Sequence, residues 1–149
     1  MDFFVYKKQV KYKLKQAKKM KKENVLQVLR RLGFVPKELS EEMYQFEFAR
    51  AKLLFMVDGD DANCLTFIYP CIYEMTDENY MVTYDAMQRL CRDVKYVQPY
   101  MMDNHVWLNY QHYLVVPDVT EELLIHMIYT LDLASNHFNN TLKEIYNEC

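Results

Sequence analysis

A chain of 149 residues, 51% of them apolar, is long enough for one domain with a core of its own. With only Gly33 and Gly59 it lacks the glycines of a phosphate-cradling loop, and its four cysteines form no CxxC pair, so a zinc site would need Cys91 or Cys64 to converge by folding. The formal net charge of -3 hides a polarised chain: nine lysines and two arginines against Asp2 and Glu23 give residues 1–31 a net +9, which leaves -12 for the rest.

In chain order, Val10, Leu14 and Ala17, then Val25, Val28, Leu29 and Leu32, repeat at helical spacing. Only Met20 is apolar between Lys18 and Lys22, so Asn24 is a candidate cap for a separate second helix. Gly33 followed by Pro36 ends the helical pattern. Tyr44, Phe46 and Phe48 alternate as in a half-buried strand, and Leu53 to Val57 is an apolar run of strand length. The Arg50-Ala51-Lys52 stretch between them has no Gly, Asn or Asp, which argues against a tight primed hairpin. A turn cluster at Asp58 to Asn63 leads into a strand from Cys64 to Tyr73, which Pro70 must end, bulge or leave unpaired on one side.

Asp77 is placed to cap a second helix through about Val94, with Met87, Leu90, Cys91 and Val94 on its apolar side. Lys95 to Met102 and His105 to Val116 read as strands joined by Asp103-Asn104, with Pro99 favouring an edge position for its own strand. Val106, Leu108, Tyr110 and Leu114 share one face of the latter strand. After Pro117, Asp118 and Glu121 form a capping box, and Leu124, Met127, Ile128, Leu131, Phe138, Leu142 and Ile145 keep a 3.6-residue period. Ile125, Tyr129 and Leu133 widen that stripe, so the helix is either sandwiched or meets another molecule.

The expected fold is α+β: a single five-stranded antiparallel sheet with helices packed largely on one face, in the order α-β-β-β-α-β-β-α. It forms one domain over 1–149, with a basic helical arm at 1–23 and a core at 24–147. Several segments resemble the class I type III secretion chaperone fold and the YbjN-like family that shares it. They are Leu32-Gly33-Phe34-Val35-Pro36 followed by the acidic Glu38 to Glu42 and the Tyr44-Phe46-Phe48 strand, Asp58 to Asp61 before a strand ending near Tyr69-Pro70, and Asp103-Asn104-His105-Val106-Trp107-Leu108. The resemblance covers about residues 24–147. It departs at Arg50-Ala51, where the family pattern has a Gly-containing turn, and the basic arm is extra. It implies a small, often dimeric, non-catalytic module that contacts other proteins, with no catalytic residues to carry over.

The residues themselves offer little chemistry. Asp58 to Asn63 fails the EF-hand pattern, because Asn63 stands at the Gly position and Tyr69 where the bidentate Glu belongs. His105 and His112 fall on opposite strand faces, and His126 and His137 lie about 16 Å apart along a helix, so no metal set forms. The cysteines have no nucleophile signature and are expected to be reduced, with core packing the favoured role of Cys64 and Cys71. No cofactor, metal or small-molecule substrate is expected. With no long apolar leader segment near the start, the expected location is the cytoplasm.

Two surfaces remain as interaction candidates. Tyr96, Tyr100, Trp107, Tyr110 and Tyr113 are expected to form an aromatic sheet face that receives a protein partner or a second copy of the chain, and ten methionines favour adaptable contacts. The alternative is a polyanion, either nucleic acid or an anionic membrane surface, bound through Lys7, Lys8, Lys11, Lys15, Lys18, Lys19 and Lys22. A basic helix whose lysines answer the acidic body, its own or a dimer mate's, is the plainer account of the same residues.

Overall fold

The structure is a computed structural model that describes residues 2–57, 63–115 and 118–148. The chain runs α1 (Phe3–Arg31), β1 (Lys37–Ser40), β2 (Met43–Phe48), β3 (Ala51–Met56), β4 (Cys64–Glu74), α2 (Tyr80–Asp93), β5 (Val97–Met102), β6 (His105–Tyr113) and α3 (Glu121–Glu148). The strands form one antiparallel sheet in the order β1-β2-β3-β4-β6-β5. The expected five strands are therefore six. The added strand, Lys-Glu-Leu-Ser, is exposed at all four positions and has no apolar alternation to reveal it. As an edge, it carries the charges that discourage further pairing.

One face of the sheet and the three helices enclose the core. Cross-strand partners Tyr44, Phe55, Phe67, Tyr110 and Val97 run as a buried row across β2, β3, β4, β6 and β5. The rings of Tyr44, Phe55 and Phe67 stack at 6.3 and 5.4 Å, and Phe46 meets Phe67 edge-on at 5.9 Å. Val25, Val28 and Leu29 of α1, Leu90 of α2 and Leu124, Met127, Ile128 and Leu131 of α3 close over them. A second cluster joins Ala86, Val106, Phe138, Leu142 and Ile145.

Several local expectations change. Asn24 caps nothing, because α1 is one continuous helix of 29 residues. It ends in a Schellman motif: Gly33 takes φ 94°, the Gly33 amide donates to Arg30 O and the Phe34 amide to Leu29 O, each at 3.0 Å. The cap of α2 is Asn79 rather than Asp77, and its side chain accepts from the Thr76 amide at 2.7 Å and donates to Glu74 O. The cap of α3 is Thr120 rather than Asp118, with its hydroxyl accepting from the Leu123 amide at 3.1 Å. The buried side of α2 is Thr83, Ala86, Leu90 and Val94, while Cys91 is exposed.

Asp103-Asn104 makes the expected two-residue hairpin, with φ 51° and 61°. Pro99 does lie in an edge strand, and Pro70 does fall in a bulge, where the β4–β6 register shifts between Tyr69 and Tyr73. The turn after β2 is the larger surprise. Phe48 pairs with Ala51, and Ala49 and Arg50 between them take φ 50° and 69°. This is a two-residue primed turn built without Gly, Asn or Asp. Burial of Phe46 against Leu53 and of Tyr44 against Phe55 fixes the register, and the turn must follow it. The acidic turn at 58–62, with its calcium reading, and Cys149 lie outside the described residues.

Left-handed backbone at two L-residues costs about 1–2 kcal/mol each. Replacing the pair by the residues that prefer it, Ala49→Asn with Arg50→Gly, is expected to raise the unfolding free energy by about 1 kcal/mol after the entropy loss at Gly. Urea unfolding reads this directly, and a fall in stability would contradict the turn.

Candidate functional site

The face of the sheet turned away from the helices is built by the other half of each strand's alternation. Lys37, Gln45, Leu54, Ile68, Asn109 and Gln98 form one cross-strand row from edge to edge. Beside it run Ser40, Met43, Met56, Thr66 and Gln111 on one side, and the Tyr100–Trp107 pair on the other. Leu54 and Ile68, cross-strand partners on this face, are buried yet belong to neither core cluster.

Tyr100 and Trp107 tilt together with ring centroids 6.1 Å apart. The indole Nε1 of Trp107 and the Oδ1 of Asn109 are shielded from solvent, and neither has a hydrogen-bond partner among the described residues. A shielded donor and acceptor left unpaired cost about 1–3 kcal/mol each.

The five aromatic residues expected on one face are divided. Tyr100, Trp107 and Tyr113 share the open face, and Tyr113 stands exposed near one end of it. Tyr110 lies on the covered face, 2% exposed, because an odd offset from Trp107 turns it to the other side. Its hydroxyl meets His126 Nδ1 of α3 at 3.1 Å. Tyr96, at φ 72°, precedes β5 and stacks on Tyr110 at 5.8 Å instead of joining Tyr100. Asn109, Leu54 and Ile68 complete the open face, and strand parity alone could have found them. The unpaired atoms have no signal in the sequence.

The lysines fare differently. Lys7, Lys8, Lys11, Lys15, Lys18, Lys19 and Lys22 fall within one side of the continuous α1, at about 100° per residue. The inner ones face the β1–β2 hairpin: Lys18 pairs with Glu42 at 3.7 Å, and Lys15, Lys19 and Lys22 line a groove with Glu38 and Glu41. The buried Lys21 reaches in to donate to Cys64 O at 2.6 Å.

Among the described residues no group of His, Cys, Asp and Glu could hold a metal. His137 Nε2 meets Asp93 Oδ2 at 3.0 Å, and Arg92 together with His137 holds the Asp93 carboxyl well below the usual carboxylate range. His105 bonds the Asp103 carbonyl at 2.8 Å. Arg89 clasps Asp85 and Glu148, which ties α2 to the end of α3. Cys64 is half-buried, whereas Cys71, at φ 52° in the bulge, and Cys91 are exposed free thiols, which corrects the core role expected for Cys71. On α3 the stripe of Ile125, Tyr129 and Leu133 is exposed rather than sandwiched, with Tyr129 against Phe48 at 5.0 Å. Among the described residues no helix is long and apolar enough to cross a membrane.

No protein-family model and no curated protein sequence matches the chain. A solved structure does: YbjN from E. coli, described as a candidate transcription regulator. The match has a TM-score of 0.55 at 12% identity over 85% of this chain and 91% of that one. The chain thus has a YbjN-like fold.

Burial pushes the Tyr100 and Tyr110 hydroxyls up from the ordinary tyrosine value, with Tyr96 adding to the effect at Tyr110. The neutral phenol is the form the fold favours, so the associated stability is complete below pH about 10 and is lost as pH rises through the raised native values. Urea titrations across that range are expected to show a steeper alkaline loss for the parent than for Tyr110→Phe. Equal slopes would contradict the burial of that hydroxyl.

Proposed function

We propose that the protein is a non-catalytic protein-interaction module, chaperone-like or regulatory in role, and that it acts in the cytoplasm as a homodimer through the open sheet face. The observation that carries this reading is the unpaired Trp107 Nε1 and Asn109 Oδ1 beside the apolar Leu54–Ile68 row. A docking protein segment covers the part-exposed Met43, Met56, Tyr100 and Trp107 around that row, and pairs the shielded indole and amide once the side chains over them shift. Tyr100 and Trp107 are of the residue types that dominate binding energy at protein interfaces. The free thiols of the described cysteines suit a reducing compartment. The fold shared with a candidate regulator is compatible with a role without chemistry.

Trp107 is the chain's one tryptophan, so its emission reports on this face alone. Sedimentation over a concentration series is expected to show a dimer whose formation shifts the Trp107 emission to the blue. Trp107→Ala, or Tyr100→Ala where the emission must be kept, is expected to weaken association by more than about 30-fold while leaving circular dichroism and melting close to the parent. A monomer at every concentration, or dimers indifferent to both substitutions, would contradict the reading.

A further inference from the structure

The half of α1 that leaves the body carries a second surface, independent of the sheet face. Phe3, Phe4, Val5 and Tyr6 fill one turn, and all are exposed, Phe4 to 72%. At 3.6 residues per turn these four positions encircle the helix, so no rotation of α1 turns them all toward the body. Lys7, Lys8 and Lys11 follow, with the Lys7 ammonium 4.6 Å from the Phe3 ring centre. No acidic residue occurs between Asp2 and Glu23. The inner lysines already face Glu38, Glu41 and Glu42, whereas Lys7, Lys8 and Lys11 form no ion pair among the described residues.

We propose that this outer part of α1 binds an anionic lipid surface, with the Phe3–Tyr6 turn entering the interface and Lys7, Lys8 and Lys11 remaining among the headgroups. An exposed apolar turn calls for a medium that accepts aromatic side chains, and the adjacent lysines call for diffuse negative charge. A lipid interface offers both within the depth of roughly 5–10 Å that amphipathic helices reach, and the turn rises about 6 Å along its axis. Phosphate recognition in nucleic acid favours the planar fork of arginine, and α1 holds no arginine before Arg30. An oblique approach keeps Asp2, which caps the first turn through the Phe4 amide at 3.2 Å, at headgroup level.

The full chain is spun with vesicles of phosphatidylcholine alone and of phosphatidylcholine with phosphatidylserine, at low salt and at about 0.15 M salt. Binding is expected only to the phosphatidylserine vesicles, and to weaken as salt rises. Lys7→Gln, Lys8→Gln and Lys11→Gln should each lower affinity about fivefold. Phe3→Ser with Phe4→Ser should remove most of the rest without altering the melting temperature, since both side chains are exposed in the free protein. Three results overturn the proposal: no binding to phosphatidylserine vesicles, vesicle binding indifferent to the Phe pair, or loss of a dimer rather than of vesicle binding in the Phe variant. Retention on an oligonucleotide that depends on the lysines, without vesicle binding, assigns the surface to nucleic acid and overturns it equally.

Discussion

The alternation of β4 and β6 is the constraint on which the remaining structure depends. They share the longest ladder of the sheet, and their paired residues decide what each face becomes. Phe67 opposite Tyr110 and Tyr69 opposite Leu108 look toward the helices, while Thr66 opposite Gln111 and Ile68 opposite Asn109 look away. A slip of one residue would exchange the faces, putting Phe67 and Leu108 in water and Asn109 and Gln111 in the core. The buried aromatic row makes that slip expensive, because stacked rings contribute about 0.5–1.5 kcal/mol per pair beyond their buried area. The strained turn at Ala49-Arg50 and the Pro70 bulge are local adjustments to the same register.

From this one-sidedness the proposed docking face follows. All three helices bury apolar residues on the covered face, and the second face is left to side chains of its own. A mixed surface of Leu, Ile, Met and amide groups, with two hydrogen-bonding atoms unmatched, is a poor solvent-facing layer and a good protein-facing one. The sheet edges are poorer candidates, since β1 is short and charged and β5 lacks an amide at Pro99. The outer half of α1 stands apart from both, with a composition that suits a charged interface rather than a sheet.

Much of this was legible in the residues. The three helices, five of the six strands, the Gly33 stop, the Asp103-Asn104 turn and the edge position of Pro99 each had a local cause that acts in the same way in the folded chain. What escaped had causes spread across the sheet. β1 has no apolar pattern because neither of its sides is buried, and pairing with Gln45, Tyr44 and Met43 is what makes it a strand. The expected caps Asp77 and Asp118 lost out to Asn79 and Thr120 because a helix start depends on where the preceding chain leaves the sheet. At the candidate site, the aromatic grouping failed on parity, which separates Tyr110 from Trp107 and could have been read in advance. The unpaired indole and amide depend on packing between three strands, and no linear spacing encodes them.

Native-state hydrogen exchange, resolved by residue, tests the single-sheet arrangement most directly. Since β4 and β6 share the longest ladder and each lies between two strands, their amides are expected to exchange slowest, with protection falling through β3 and β2 to the β1 edge on one side and to the β5 edge on the other. Protection of β5 equal to that of β4, together with a fast-exchanging β6, would mean that β5 rather than β6 pairs with β4. The two faces described here would then be wrong.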